Sequence, residues 1–577
     1  MFLEKLYIIF TLLLLVTFLT LSLLTPLINY GALSQSIANG RTYILYPGLF
    51  SVNIFVLLIL MSFFLLGRGL PHYVIMFFVF MWPMIITLNF LFYGFVVGDQ
   101  PRLEFALAHL IVNGKVTFEE ALKKSSYFNW PSLWILQGIF SNITGLSPFE
   151  APALLIVMVY LLLGLSIIFS CRKLFPKYGS SLVLSSVIAY TVLNPYKILH
   201  LCPQIYALVL FMIFISILFK EVLTPSDFII LFVLSASIIT AHPLTSVVLI
   251  GVLIATITLK MLNKVQGHHR RAFFSGTTGI IAFFIAWNSN YENFIKSVFE
   301  EILKSPELQT LSPICNSLIY EEDLFYKLMS LYRYSCLFTL SMLTLVAIIL
   351  MLKRGFSKKR IVLSVFAGIV VGSLTFNFIP GSFFHRVMYF TTTVMVITTP
   401  FAIGGIPHLL KRFAKPRHFH SLIKVVEVII LFLLPILSHV AVIEFVTNNN
   451  PVVVITSPYE TSSYMFIAKR YDFRRCVGVT SGALPFYISL LDPTKAWNIM
   501  LISNKVIQLT ILPNNYLSAE KFIEIVYTGK LFVVSPREKF ILYTNTLFRE
   551  YGIFDNYLNN NYDKVYDNEI FRAYDRK

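Results

Sequence analysis

Charged residues are scarce in this sequence. Only 13% of its 577 residues are Asp, Glu, Lys or Arg, whereas 57% are hydrophobic, and the mean hydropathy is +0.75. A soluble globular domain normally carries about 25% charged residues. The composition therefore excludes an ordinary soluble protein and indicates a membrane protein that crosses the bilayer several times.

Cysteine is scarce as well, and its positions exclude two kinds of centre. The five cysteines show neither the close pairing of a disulfide framework nor the spacing of a zinc site. Several fall in or near apolar runs, where cysteine behaves as a small apolar residue. They are Cys171, Cys202, Cys315, Cys336 and Cys476. The sequence also has no internal repeat and no low-complexity tract.

Long apolar runs are abundant. A helix that crosses a bilayer needs roughly 20 apolar residues, or somewhat fewer where the bilayer is locally thinned. The sequence predicts about 13 such helices and hence an all-α polytopic membrane fold. Their expected ranges are 6–28, 47–67, 72–97, 151–171, 180–196, 204–220, 227–241, 243–260, 273–290, 334–353, 361–379, 387–407 and 423–445. Because no small-residue cleavage site follows the first range, we expect a retained helix there and not a signal peptide.

The net charge of +17 reflects an asymmetry between the two sides of the membrane. With the N-terminus in the cytoplasm, the alternate loops on that side hold most of the short-loop lysines and arginines. The opposite short loops hold only Arg41, Lys197 and Arg386. This asymmetry is the positive-inside rule, so the excess charge does not indicate binding to nucleic acid. The segments 98–149 and 291–333 and the C-terminal tail are then expected outside the cytoplasm.

The tail differs in composition from the rest of the chain. We expect a transmembrane domain over 1–446 and a small extracytoplasmic α/β domain over 447–577. In the tail "PVVVIT" and "KLFVVS" predict strands, and "SAEKFIEIVYTG" predicts a helix. The closing "KVYDNEIFRAYDR" predicts two short strands joined at Asp567-Asn568.

The segment 98–149 is too patterned to be a plain connection. "PRLEFALAHLIVNG" has helical spacing and ends at Gly114, and "PSLWILQGIFSNITG" predicts a second helix that ends at Gly145. Both helices are expected to be amphipathic and to lie on the outer surface of the bilayer.

Ionisable residues from separate stretches are expected at the same outer face. They are Asp99, Arg102, Glu104 and His109 after the third span, Lys197 and His200 after the fifth, His242 in a tight turn, and His385 and Arg386 at the start of the twelfth. Each also has a purely structural interpretation. Asp99 precedes Pro101 and suits a helix N-cap. A cation at a helix end often extends to the lipid headgroups. A histidine before a proline often only bonds its own turn.

The functional interpretation joins these residues. A carboxylate at the outer surface can take a proton from an acceptor hydroxyl. Arg386 offers a bidentate fork and Lys197 a point charge for a lipid-linked phosphate leaving group. Such a pair of functions requires a cavity at headgroup depth.

Several of these stretches resemble the GT-C membrane glycosyltransferases that use polyprenyl- or dolichyl-phosphate sugars. The matching stretches are "ALAHLIVNGK", "YFNWPSLWILQGIFSNITGLSP", "CPQIYALVLFMIF", "TAHPLTSVVLIGVL" and "VYDNEIFRAYDR". The resemblance covers most of the chain in order and topology. It implies a multispan enzyme that inverts the anomeric carbon and whose first acidic outer loop carries the catalytic carboxylate. That residue is Asp99, with Glu104 as the next candidate and Arg102, His242 and His385 in supporting roles.

The sequence departs from that family in three respects. The "WWDYG" signature of oligosaccharyltransferases is absent, so transfer of whole glycans to asparagine is not carried over. Asp99 follows the third span and not the first. No second acid adjoins it, which leaves the need for Mg²⁺ or Mn²⁺ open. The acidic residues that could supply a metal site, or simply form a solvated face, are Glu292, Glu300, Glu301, Glu321, Glu322 and Asp323.

Two other classes of function compete with this interpretation. A transporter or flippase of a lipid-linked substrate would normally show repeated halves and charges near mid-bilayer, which this sequence lacks. A non-catalytic assembly subunit would have an intact pocket without turnover. The expected partners of the enzyme are a lipid-linked sugar donor, membrane lipids, and an acceptor that is a glycan, a lipid or a protein.

Overall fold

The computed structural model describes a helical central region and several short strands. The described residues are 96–97, 102–146, 150–174, 201–218, 220, 223–262, 268–289, 338, 341–351, 390, 392–393, 395–398, 401–402, 455–456, 466, 478–479, 531–534, 562–567 and 572–576. The predicted spans at 6–28, 47–67, 180–196, 361–379 and 423–445 lie outside these residues, as does the predicted helix "SAEKFIEIVYTG".

The described part of the chain is mostly α-helical. The helices are α1 (Arg102–Val112), α2 (Phe118–Lys124), α3 (Ser132–Thr144), α4 (Glu150–Leu174), α5 (Pro203–Leu218), α6 (Pro225–Ala241), α7 (Pro243–Leu262) and α8 (His268–Ser289), with a short 3₁₀ helix at Ser126–Asn129. Helices α4 to α8 overlap the predicted spans at 151–171, 204–220, 227–241, 243–260 and 273–290. The coarse helical prediction for this region is therefore confirmed.

The membrane-crossing potential of these helices varies with length. Among the described residues, Leu154–Leu174 is long and apolar enough to cross a bilayer. The apolar helices Pro203–Leu218, Pro225–Ala241, Pro243–Thr258 and Ser341–Met351 are shorter.

Local sequence sets the ends of the first helices. Gly114 follows α1 with φ +67° and Gly145 follows α3 with φ +68°, a region that glycine adopts without a Cβ clash. Both predicted helix ends are thus confirmed. Thr117 caps α2: its hydroxyl accepts from the Glu120 N–H, and the Glu120 carboxylate accepts from the Thr117 N–H. This is a capping box, and it places α2 directly after the turn.

Helices α1 and α3 approach each other very closely at a glycine. A Cβ on Gly138 of α3 would lie 2.8 Å from the carbonyl oxygen of Ala108 and 2.8 Å from Cγ2 of Val112. The rings of Phe105 and Trp134 meet edge to face beside this contact, with centroids 5.4 Å apart. The absence of a side chain at Gly138 is what allows the two backbones to come together.

This packing encloses α1 within the protein. Residues 104–108 and Leu110 are buried by their neighbours. Helix α3 keeps an exposed apolar stripe in which Ile135, Ile139 and Ile143 recur every four residues. The location of the two helices at the outer surface of the bilayer stays a prediction.

Polar contacts between helices hold the apolar region in register. Ser170 of α4 and Ser216 of α5 share a hydrogen bond of 2.6 Å, and Lys173 Nζ donates to the Ser216 carbonyl at 3.1 Å. Cys171 Sγ contacts the Ile397 carbonyl oxygen at 3.7 Å, and the Phe211 and Phe390 rings meet at 6.0 Å. These contacts join Phe390 and Ile397, which are helical residues, to α5 and α4.

The described part of the tail forms a small mixed sheet. Strands β3 (Gly478–Val479), β4 (Leu531–Val534), β5 (Tyr562–Asp567) and β6 (Arg572–Arg576) lie in the order β3-β4-β6-β5, with β3 parallel to β4 and the other pairs antiparallel. The strand predicted in "KLFVVS" and the two strands predicted in the closing segment are confirmed. The boundary of the tail at residue 447 stays a prediction.

A second, two-stranded sheet joins distant parts of the chain. Strand β1 (Val96–Val97) pairs antiparallel with β2 (Ile455–Thr456), with Val96 opposite Thr456 and Val97 opposite Ile455. The strand predicted in "PVVVIT" contains β2. The helical span expected over 72–97 was wrong at its last two residues, because β1 forms its hydrogen bonds across to β2.

We expect Gly138→Ala to destabilise the protein. The new methyl group meets backbone at 2.8 Å, and overpacking of this kind costs about 1–3 kcal/mol. Gly279→Ala in α8 is the matched control, since a Cβ there meets nothing within 4 Å. Thermal unfolding of the purified protein in detergent should show a lower midpoint for Gly138→Ala alone. Equal midpoints for the two variants would contradict the close crossing.

Candidate functional site

Glu104 is a buried carboxyl group in the first turn of α1. Its side chain is 5% exposed, and Oε1 accepts a hydrogen bond of 2.6 Å from Ser125 Oγ. Ser125 is itself fixed between α2 and the 3₁₀ helix, where its hydroxyl accepts from the Tyr127 N–H at 3.3 Å. Within the described residues, Oε2 of Glu104 has no hydrogen-bond partner. One oxygen of the carboxyl group is therefore held, and the other is available for a proton.

The surroundings of Glu104 place its titration near neutral pH. Burial raises the pKa of this carboxyl to about 7, and the bonds from the Ser125 hydroxyl and from its own backbone N–H only partly oppose that effect. An ordinary glutamate is fully ionised at that pH. A carboxyl that is half protonated near pH 7 can either accept or give a proton, which is the property that general acid–base chemistry requires.

Three aromatic side chains pack together beside Ser125, which donates to this carboxyl group. Phe105, Tyr127 and Trp134 come from α1, the 3₁₀ helix and α3, and the rings of Tyr127 and Trp134 meet edge to face at 6.4 Å. Trp134 Nε1 donates to the Tyr127 carbonyl at 3.2 Å. This contact fixes the 3₁₀ helix, and with it Ser125, against α3.

His109 lies one turn beyond Glu104 in a separate chain of hydrogen bonds. Asn113 Nδ2 is 3.1 Å from His109 Nε2, and because an amide nitrogen can only donate, Nε2 accepts there. The proton of the neutral ring is then on Nδ1, 3.3 Å from Ser141 Oγ, which donates to the Leu146 carbonyl at 2.6 Å. Burial, assisted by Lys115, lowers the pKa of His109. The neutral ring therefore serves to join α1 to the end of α3.

His242 caps a helix. Its ring Nδ1 accepts from the Thr245 N–H at 3.3 Å and lies 3.1 Å from the Thr245 hydroxyl, at the start of α7. The interpretation of His242 as a residue that bonds its own turn is consistent with this geometry. Since Nδ1 is an acceptor, the neutral ring carries its proton on Nε2.

Helices α6 and α8 contact the segment 98–149, which contains Glu104. The hydroxyls of Ser132, at the start of α3, and Thr240, two residues before His242, are hydrogen-bonded. Trp287 Nε1, near the end of α8, donates to the Asn129 carbonyl of the 3₁₀ helix at 3.3 Å. The turn at His242, the end of α8 and the start of α3 therefore lie at one end of the helical region.

Of the other predicted site residues, the structure describes only the backbone position of Arg102. Arg102 is the first residue of α1. Asp99, Lys197, His385 and Arg386 lie outside the described residues. Among the residues that the structure describes, no group of three His, Cys, Asp or Glu side chains comes together. These residues do not form a divalent-cation site, and the acidic runs of the loop 291–333 lie outside them.

Two buried polar residues of the segment 102–146 were missed from the sequence. Ser125 is its hydrogen-bond donor, and the only signal was a serine between two helical patterns in "KKSSYFN". Gln137 of α3 is fully buried, and its amide has no hydrogen-bond partner within the described part of the chain. A lone glutamine in the apolar run "SLWILQGIF" was its signal.

Comparisons with known proteins give a structural likeness alone. No family model matches the sequence, and no curated protein matches it. Two similar solved structures are crystal structures of ArnT, a GT-C glycosyltransferase, from Cupriavidus metallidurans. The one bound to undecaprenyl phosphate has a TM-score of 0.48 and 12% identity over 87% of this chain and 97% of that one. The apo structure has a TM-score of 0.47 and 11% identity over 83% and 94%.

These neighbours belong to the family that the sequence resembles. At this degree of likeness they carry no argument about chemistry.

We expect the stability of the protein to fall as the pH rises from about 4.5 to about 7. The folded pKa of Glu104 lies above its ordinary value of 4.5, so in this window the folded state binds more protons than the unfolded state. The loss amounts to roughly 3 kcal/mol for a fully buried group. It is complete above pH 7.

Thermal unfolding of the Glu104→Gln variant between pH 5 and pH 8 tests this expectation. The Gln amide oxygen can still accept from Ser125, but it does not ionise, so the decline should become smaller. Glu119→Gln is the control, because that side chain is exposed in a surface ion pair with Lys123 and such pairs contribute little. An unchanged decline in Glu104→Gln would contradict the assignment.

Proposed function

We propose that this chain is an integral-membrane glycosyltransferase that takes a sugar from a polyprenyl- or dolichyl-phosphate donor and transfers it on the extracytoplasmic side. The observation that carries the proposal is Glu104, a buried carboxyl with a pKa of about 7 and one oxygen without a hydrogen-bond partner among the described residues. It lies five residues after Asp99, in the outer segment where the family resemblance expects the catalytic carboxylate.

The proposed architecture extends the described helices in both directions. It has about 13 spans, a cytoplasmic N-terminus set by the positive-inside rule, and an extracytoplasmic α/β domain over 447–577. In this arrangement the segment 98–149, the turn at His242 and the tail all lie on the side where transfer takes place. The hydrogen bond between Ser132 and Thr240 supports the placement of the segment 98–149 and the turn at His242 on the same side of the membrane.

The proposed reaction is a displacement at the anomeric carbon. The acceptor hydroxyl forms a new bond to that carbon, the bond from the carbon to the phosphate oxygen breaks, and the lipid phosphate leaves with the electron pair. Asp99 takes the hydroxyl proton as general base, and the family resemblance implies inversion of the carbon. Arg386 and Lys197 stabilise the negative charge that develops on the phosphate.

The remaining residues have supporting roles in this proposal. Glu104 exchanges a proton near neutral pH, and Arg102 and His385 add positive charge or hydrogen-bond donors for the donor phosphate. His242 has a supporting role beside its structural one, in which its Nδ1 accepts from the Thr245 N–H in the cap of α7. A divalent cation is not required by these roles.

We expect Asp99→Asn to lower transfer by about 10²- to 10⁴-fold, because the amide cannot accept the hydroxyl proton. Glu104→Gln should cause a smaller loss, and the step near pH 7 in the pH–rate profile should disappear. Glu119→Gln is the matched control and should keep full activity, since its carboxylate is exposed and forms a surface ion pair with Lys123.

The assay uses purified protein with radiolabelled polyprenyl-phosphate sugars and a panel of lipid, peptide and glycan acceptors. Glycosylated product and released polyprenyl phosphate are both measured. Full activity of Asp99→Asn would remove that residue from the mechanism. Movement of the intact labelled lipid across vesicles without cleavage would show a transporter instead.

A further inference from the structure

The hydroxyl group of Ser125 has a partner on each side. It accepts from the Tyr127 N–H at 3.3 Å and lies 2.6 Å from Oε1 of Glu104. A backbone N–H can only donate, so the hydroxyl oxygen is the acceptor in the first contact. The single proton of the hydroxyl is then directed to Oε1. Ser125 therefore acts on Glu104 as a hydrogen-bond donor in a fixed direction.

Two tryptophans from different helices fix the 3₁₀ helix that follows Ser125. Trp134 Nε1 of α3 donates to the Tyr127 carbonyl at 3.2 Å, and Trp287 Nε1 of α8 donates to the Asn129 carbonyl at 3.3 Å. On the other side of the hydroxyl, the Ser125 N–H donates back into α2 at 2.9 Å. The backbone is thus held before and after Ser125, and the side chain cannot easily turn away from Glu104.

This geometry determines which oxygen of Glu104 carries the proton of the neutral form. Because Oε1 accepts from the Ser125 hydroxyl, it is the carbonyl oxygen, and the proton lies on Oε2. Within the described part of the chain, Oε2 has no hydrogen-bond partner. The two oxygens of this carboxyl group therefore have different roles. Oε1 anchors the group, and Oε2 can exchange the proton.

The charged groups on the surrounding elements do not account for the behaviour of Glu104. Helix α3 has no charged or histidine side chain. The titratable groups on α1, α2 and the 3₁₀ helix, besides Glu104, are Arg102, His109, Glu119, Glu120, Lys123, Lys124 and Tyr127. None of these described groups is a cause of the raised pKa of Glu104, which burial raises and the Ser125 hydroxyl and the backbone N–H of Glu104 partly lower. Loss of the Ser125 hydroxyl should therefore raise that pKa further.

We propose that Ser125 is a positioning residue for the transfer reaction, whose hydroxyl holds Glu104 by Oε1 so that the proton is exchanged at Oε2. This inference rests on the proposed function, in which Glu104 exchanges a proton near neutral pH. When the O–H bond at Oε2 breaks, the electron pair stays on the carboxylate, and the Ser125 hydroxyl stabilises the charge that forms. An exchanged proton must lie within hydrogen-bond reach of its new partner, and a carboxyl group that could rotate would present either oxygen. Ser125 itself need not touch the substrate.

Infrared spectroscopy tests the hydrogen bond without any measurement of activity. The carbonyl stretch of a protonated carboxyl group is recorded while the pH is raised, and the spectra of Glu104→Gln are subtracted to isolate the band of Glu104. In Ser125→Ala the band should move to higher frequency, because the carbonyl oxygen Oε1 loses its hydrogen bond. The titration midpoint of the band should rise by about one pH unit. An unchanged frequency would place the proton on Oε1 and overturn the proposal.

Two conservative variants separate the hydrogen bond from damage to the fold. Ser125→Thr keeps the hydroxyl and should keep both the band frequency and the midpoint. Ser125→Cys keeps the size of the side chain with a weaker donor, so it should shift both in the same direction by less, and it tests the bond if Ser125→Ala does not fold. Ser237→Ala is the matched control, because that hydroxyl donates to the Val233 carbonyl within α6. A Thr variant that behaves like Ala overturns the proposal.

The pH–rate profile tests the role in the reaction. In Ser125→Ala the step near pH 7 should move to higher pH by the same amount as the infrared midpoint, while KM for the polyprenyl-phosphate sugar stays unchanged. Ser125→Thr and Ser237→Ala should keep the step in place. A step that stays near pH 7 in Ser125→Ala, although the infrared midpoint has moved, overturns the role of Ser125 in transfer.

The failure of the proposed function has a different outcome. If the unsubstituted chain transfers no sugar from any donor, the role of Ser125 in transfer is overturned together with that function. The infrared shifts would then still show that Ser125 holds Oε1 of Glu104, since they do not depend on turnover.

Discussion

The close crossing of α1 and α3 is the contact on which the candidate site depends. Gly138 allows the backbone of α3 to approach Ala108, and a single methyl group would prevent it. The same approach sets the distance between the rings of Phe105 and Trp134 and between His109 and Ser141. Small residues serve this purpose widely in membrane helices, where close backbone approach supplies van der Waals contact in place of a hydrophobic driving force.

The enclosure of α1 is what gives Glu104 its chemistry. A glutamate on a surface helix is ionised at neutral pH, so it does not exchange a proton in that pH range. In α1 the apolar packing removes water from the carboxyl, and the Ser125 hydroxyl satisfies only one of its oxygens. Glu104 is part of α1, and Ser125 directly precedes the 3₁₀ helix. Regular elements of this kind fix a side chain more closely than a mobile loop does.

The helix ends and the closing strands could be predicted from the sequence, because local rules determine them. Gly114 and Gly145 mark helix ends because positive φ suits glycine, and the closing strands follow from β-propensity and a turn at Asp567-Asn568. Tertiary contacts determined the rest. The helical spacing of α1 predicted an amphipathic helix but could not show that α3 covers it.

The same limit applies to β1 and to the partner of Glu104. Two valines at the end of an apolar run suit a helix or a strand equally, and only the pairing with Ile455 and Thr456 decides between them. Ser125 is twenty-one positions from Glu104. No local pattern indicates that a serine at that separation will donate to the carboxyl, because the contact exists only after α2 has folded back.

Glu104 and His109 of α1 favour the same state. Burial raises the pKa of Glu104 and lowers that of His109, so both effects favour the neutral form of the side chain. Neutral side chains at these two positions can be enclosed at little electrostatic cost. Any cation that approaches Glu104 favours its ionised form and so releases the proton. The protonation of this carboxyl is therefore linked to the charge brought to the site, and the packing of α1 makes that link possible.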